Sequence, residues 1–283
     1  MRERRGVAIA GILAILCGAA GVHRLAGAGG RMIIAPTRIL LEGGERSATV
    51  HVGNHGDLPV ALRISVVNKR MMESGLIIDA ADTQPGETFA KHLIRYSPRQ
   101  LVLEPNQTQT VRLLVRRPSG QPLSPGEYRS HLVFRSVPVP APANEDAPEE
   151  AIDGIKIAVR AIIETSIPVI YRVGELPAAV RFSPADVHLE SDPAAVPTLT
   201  LRLEREGKRS VYGDLVVDYV RPDLTWREVA HLGGVAVYHP TPSRLFRIGL
   251  QLPQGMRFDG GELRAHFRER NGEVEARIAI PLD

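Results

Sequence analysis

Residues 155–172 read IKIAVRAIIETSIPVIYR, and the fold turns on how this stretch is read. Ile157, Val159, Ala161 and Ile163 alternate with Ala158, Arg160 and Ile162, a period of two that belongs to a β-strand. Extended throughout at about 3.3 Å per residue, the run would span roughly 55–60 Å, where a usual sandwich strand reaches about 20 Å. Part of it should therefore project past its own sheet or bridge to another unit. A bare apolar edge of that length invites aggregation, so the residues make sense only if a partner covers it.

The same period extends outward in both directions. Val50 and Val52, then Leu62, Ile64 and Val66, then Val111, Leu113 and Val115 alternate with polar or small residues, separated by turn clusters such as Glu42-Gly43-Gly44 and Ser124-Pro125-Gly126. Toward the C-terminus come Leu199, Leu201 and Leu203, then Leu215, Val217 and Tyr219, then Phe246, Ile248 and Leu250, and finally Ile278, Ile280 and Leu282. No window past residue 28 holds an apolar 3.6 repeat for three turns. The fold class predicted is all-β, with two immunoglobulin-like β-sandwich domains in tandem. Residues 137–154 are rich in Pro, Ala, Glu and Asp and have little to bury, so they predict a mobile loop. The strand after that loop completes the first pattern, which puts the domains at 29–174 and 175–283.

With 283 residues, 43% apolar, 24% charged and a single Cys, the chain is neither coiled coil, collagen, disulfide scaffold nor disordered tail, and has room for two ordinary domains. Its formal charge of +3 resides in the N-terminus. Setting aside Arg2, Arg4, Arg5, Arg24 and Glu3 leaves equal numbers of basic and acidic residues. With 5% aromatics and no basic stripe there is no footprint for nucleic acid. MRERR followed by the apolar residues 6–22 reads as a secretory signal, with Ala26-Gly27-Ala28 as the cleavage pattern and Ala20 as another option. Residues 1–28 are thus expected to be removed, leaving no stable membrane anchor. Leu16 before Cys17 is too bulky for lipoprotein processing. The mature chain would hold no Cys, so its stability must come from its cores alone.

Sites for chemistry are absent from the pattern. None of the nine His residues sits in HExxH, and His51 and His55 lie at a strand-to-turn junction rather than on a helix face. Neither GxSxG, GxxxxGK[ST] nor GxGxxG occurs past residue 28. The expectation is a protein that is not an enzyme, with no catalytic residues, metal or cofactor. One charge stands out instead. In MIIAPTRILLEGGE (32–45), read as an opening strand, Arg38 interrupts an apolar run. A guanidinium there must reach water or find an anion, because burying it unpaired costs several kcal/mol or more.

On IIAPTRILLEGGERSATVHVGN, YSPRQLVLEPNQTQTVRLLVRRP, PGEYRSHLVFRSVP and ETSIPVIYR, the chain resembles the PapD-like periplasmic chaperones of bacterial chaperone/usher pilus assembly. The resemblance covers nearly the whole mature chain and implies two immunoglobulin-like domains in a boomerang, working in the periplasm on pilin or fimbrial subunits and delivering them to an outer-membrane usher. It implies donor-strand complementation: the chaperone lends its strand, with Ile157, Val159, Ala161 and Ile163 as donors, to a subunit whose own sandwich lacks one. An edge of this kind also suits pairing of two free copies. Arg38 matches the family's first-strand Arg, which grips the subunit's terminal carboxylate. The family's companion Lys falls at Pro168 here, so the anchor rests on Arg38 alone or on a further base such as Arg160. Glu127 and Arg172 match a pair that braces the two domains. The competing reading is an exported structural immunoglobulin-like subunit or adhesin module of a surface polymer.

Overall fold

The computed structural model describes residues 32–117, 120, 122–137, 151–152, 155–156, 162–188, 196–253, 256–270, 272 and 274–282. The first half contains β1 (Met32–Ala35), β2 (Ile39–Leu41), β3 (Ser47–Asn54), β4 (Val60–Val67), β5 (Lys69–Met71), β6 (Ile77–Asp79) and β7 (Ile94–Ser97). It continues with β8 (Gln100–Leu103), β9 (Thr108–Val115), β10 (Gly126–Val137), β11 (Ala151–Ile152), β12 (Ile155–Lys156) and β13 (Glu164–Val173). The second half holds β14 (Ala178–His188), β15 (Thr198–Gly207), β16 (Val211–Val220), β17 (Trp226–Val237), β18 (Ser243–Gly249), β19 (Glu262–Glu269) and β20 (Glu275–Pro281).

Two sheets, ordered β1-β3-β9-β7 and β2-β13-β10-β4-β8, face each other in the first half. Strand alternation turns Val50, Val52, Val111 and Leu113 of one sheet toward Leu62, Ile64, Leu132, Phe134, Val169 and Tyr171 of the other, and all of them are buried in one core. The second half repeats this plan with β14-β15-β18 and β17-β16-β19-β20. There Leu199, Leu201, Leu203, Leu215, Val217, Tyr219 and Phe267 are buried in a separate core. The chain is an all-β tandem of two immunoglobulin-like sandwiches.

Two sequence expectations change. The opening run 32–45 is not one strand: β1 pairs antiparallel with β3, and β2 pairs parallel with β13 in the opposite sheet. The switch falls at Pro36, which lacks a backbone donor and restricts the residue before it, and Arg38 is left just ahead of β2. Likewise residues 155–172 are not a single strand. Ile155 and Lys156 pair antiparallel with Ile152 and Ala151 instead, in a two-stranded sheet apart from β13. Residues 138–150, most of the expected loop, lie outside the described residues, as does the whole of 1–28.

A third apolar group joins the sandwiches. Met71 and Ile170 of the first are buried with Ala236 and Tyr238 of the second, with Leu40, Ile77 and Tyr212 packed against them. The β5–β6 hairpin adds polar bonds: Thr241 Oγ1 donates to the Met71 carbonyl at 2.9 Å and Leu245 N to the Glu73 carbonyl at 2.8 Å. Ile170 is fully buried at this seam. Ile170→Ala should lower stability by about 2–5 kcal/mol, since the surrounding rings and strands cannot close over the lost volume. Urea unfolding followed by circular dichroism would register this as a lower midpoint; a midpoint unchanged from wild type would mean that the seam contributes little.

Candidate functional site: a half-covered strand edge beside a cationic cleft

Second in the five-stranded sheet, β13 pairs antiparallel with the central β10 along its whole length, from Gly126↔Val173 to Arg135↔Glu164. Its other edge meets β2 only at Val169, Ile170 and Tyr171. From Glu164 to Pro168 that edge has no strand partner among the described residues. Ser136 N donates to the Ile163 carbonyl and Ile163 N donates to Ser136 Oγ, both at 2.8 Å, so the ladder toward β10 extends past the end of β13. Because antiparallel pairs alternate, the backbone groups of Ile162, Glu164 and Ser166 then point away from β10, toward the open edge. Pro168 stands opposite His131 in the same outward phase, so its missing N–H breaks no bond to β10.

Ile163 is 46% exposed and Ile162 is also exposed, whereas Ile167, Val169 and Tyr171 farther along are buried in their own core. The strand therefore passes from self-satisfied to unsatisfied within a few residues. Of the other expected donors, Ile157, Val159 and Ala161 lie outside the described residues, and so does Arg160.

Arg38 borders the covered end of this edge. Its guanidinium stacks on the Tyr212 ring of the second sandwich, 4.5 Å from the centroid, and its buried Nη1 has no hydrogen-bond partner among the described residues. Burial lowers its pKa, opposed by the nearby Tyr238 and Glu127. The sequence predicted a guanidinium in want of an anion. The structure places it in the cleft between sandwiches.

Below the cleft, Glu127 and Arg172 are brought together in β10 and β13. Arg172 Nε donates to Glu127 Oε2 at 3.0 Å, Nη1 to Glu42 Oε2 at 3.0 Å and Nη2 to the Ser210 carbonyl at 2.9 Å. Ser210 answers across the seam, its N–H donating to Glu127 Oε2 at 2.9 Å and its hydroxyl to Oε1. Both charged side chains are buried, and every bond is charge-assisted. Ser210, Tyr212 and Tyr238 were not singled out from sequence, where nothing marks a residue that matters only by what docks on it. Among the described residues, no three His, Cys, Asp or Glu side chains converge as a metal site would need.

The model of the pili and flagellar-assembly chaperone family, PapD N-terminal domain, matches residues 31–177, just over half of the chain. The chain belongs to this family. The family is one of assembly chaperones rather than enzymes. The solved structures similar to the chaperone include the CsuC–CsuE chaperone–tip adhesion subunit pre-assembly complex of Acinetobacter baumannii archaic Csu pili, at 12% identity and TM-score 0.46, covering 88% of this chain and 97% of that one. The Pseudomonas aeruginosa CupB2 chaperone aligns at 14% identity and TM-score 0.43, covering 89% and 100%. The Salmonella enterica complex of SafA pilin with the SafB chaperone aligns at 16% and 0.43, covering 89% and 97%. No curated protein matches the sequence.

Two outcomes follow from the chaperone's cleft. Glu127→Ala leaves Arg172 buried without its main counter-charge and should cost about 3–5 kcal/mol in urea unfolding; a loss below about 1 kcal/mol would remove the pair as the brace. His131 is buried against Tyr238, with ring centroids 6.4 Å apart, and burial together with Arg129 and Lys69 pushes its pKa down to about 3. The unfolded chain takes up this proton near 6.5 and the folded chain only near 3, so stability is complete above 6.5 and falls as pH drops toward 3. Melting temperatures from pH 7.5 to 4.5 should fall less steeply in His131→Gln than in wild type; parallel slopes would contradict the assignment.

Proposed function

We propose that this chaperone captures pilus or fimbrial subunits in the periplasm by donor-strand complementation and passes them to an outer-membrane usher. The observation that carries the reading is the open edge of β13. Outward-facing backbone groups at Ile162, Glu164 and Ser166 adjoin exposed Ile162 and Ile163, and the edge ends beside a cation with a donor unused among the described residues. A strand laid along that edge would gain backbone hydrogen bonds, and alternate side chains would enter the pockets of an incomplete sandwich. Ile157, Val159, Ala161 and Ile163 are the donors proposed. At about 1.5–3 kcal/mol per buried aliphatic side chain, they would contribute roughly 5–10 kcal/mol before ordering costs.

In this reading Arg38 anchors the subunit's C-terminal carboxylate, which fixes the register of the added strand, and Glu127 with Arg172 holds the two sandwiches so that the cleft exists. The domains are taken as 29–174 and 175–283, with 1–28 as the export signal. Titratable side chains enter only as anchors and braces, in keeping with a mechanism that makes and breaks no covalent bond.

The test is co-expression with a pilin encoded nearby, followed by pull-down. Arg38→Glu reverses the charge at the anchor, and Val159→Asp puts an ion where an apolar side chain must enter a pocket. Both should abolish the complex while circular dichroism shows an intact fold. Full binding by both variants would overturn the cleft and the donor strand together.

A further inference from the structure

Arg38 is not the only cation in the cleft with an unused donor. Arg129 on β10 shares a cross-strand row with Ile170 of β13 and Leu40 of β2, on the sheet face that meets the second sandwich. It is 4% exposed. Its guanidinium stacks on the Tyr238 ring 4.5 Å from the centroid, as that of Arg38 stacks on Tyr212. Nη1 donates to the Lys69 carbonyl at 3.1 Å, while the buried Nε has no partner among the described residues.

The acids nearest to it are already engaged. Glu127 accepts from Arg172 and Ser210 with both oxygens. Glu87 accepts from Arg70 Nε at 2.6 Å, Arg70 Nη2 at 2.8 Å and Gln84 N at 2.8 Å. Arg38 and Arg129 act on each other as like charges. Two buried guanidiniums, each with an unsatisfied nitrogen and each walled by a tyrosine, leave positive charge in excess where water is largely excluded. Such a place is costly when empty and favourable to an anion. Arg38 is half-buried and Arg129 buried, and Tyr238 lies close enough to both guanidinium groups to feel the charge of each.

We propose that Arg129 is the second cation of the Arg38 site, and that the two guanidinium groups together hold one carboxylate, the C-terminus of the captured subunit. This inference rests on the function proposed above and names the residue that completes its anchor. It also accounts for a proline at position 168: with the second charge supplied from β10, β13 need not carry one there.

The probe is a synthetic peptide of the last strand of a pilin encoded nearby, made as the free acid and as the C-terminal amide, titrated calorimetrically into the intact mature chain. Wild type should prefer the acid. Arg129→Leu should reduce that preference about tenfold and leave the affinity for the amide unchanged, and Arg129→Lys, which keeps the charge and much of the stem, should retain most of the preference. A purely structural role would weaken both peptides alike in Arg129→Leu, and that result, or an unchanged acid-to-amide ratio, would overturn the proposal. If Arg129→Leu fails to fold, Arg129→Met carries the same comparison. Binding of neither peptide to wild type would instead defeat the strand-lending function, and this inference with it. A preference lost in Arg38→Ala but untouched in the Arg129 variants would defeat this inference alone.

Discussion

Backbone amides inside a sheet are obligatory hydrogen-bonding groups, and among the described residues β13 satisfies them in full on one side only. Toward β10 its ladder is complete and even extends through Ser136, while toward the other side β2 covers three residues. A sandwich built for itself would close this edge with a longer first strand. Here the first strand is split at Pro36, and its second piece, Ile39–Leu41, is too short to cover the edge. The gap is therefore a consequence of where the chain changes sheets. The isoleucines beside it, Ile162 and Ile163, are left exposed by the described residues.

The cleft depends on a second constraint, the relation between the sandwiches. Apolar contact at the seam involves few side chains, and orientation is supplied by the buried charges of Glu127 and Arg172 reaching Ser210. Once that relation is set, Tyr212 and Tyr238 stand over Arg38 and Arg129. Stacking on an aromatic face stabilises a guanidinium without consuming its N–H groups. The arginines are thereby held in place with donors to spare, which suits residues that must meet an anion arriving from outside.

Much of this was legible in the sequence, for a simple reason. Where one face of a strand is buried, the period of two is strict, and Leu199, Leu201 and Leu203 or Val111, Leu113 and Val115 turned out as core residues. Arg38 was conspicuous because its neighbours are apolar. Boundaries fared worse. The alternation across residues 155–172 concealed the pairing of Ile155 and Lys156 with β11 that takes up its beginning, and the opening run concealed a change of sheet. Arg129 escaped notice because Arg, Ser and His follow one another in β10, so the pattern there no longer separates an inward from an outward face. Its meaning comes from Tyr238, which lies in the other sandwich and is joined to it only by folding.

Amide hydrogen exchange on the chaperone, free and bound to a subunit, tests the central claim most directly. Lending the edge predicts that the amides of Ile162, Glu164 and Ser166 exchange freely in the unbound protein and become strongly protected in the complex, while Ile163, already bonded to Ser136, changes less. Protection that appears only on the second sandwich, with these three amides exchanging as before, would contradict it.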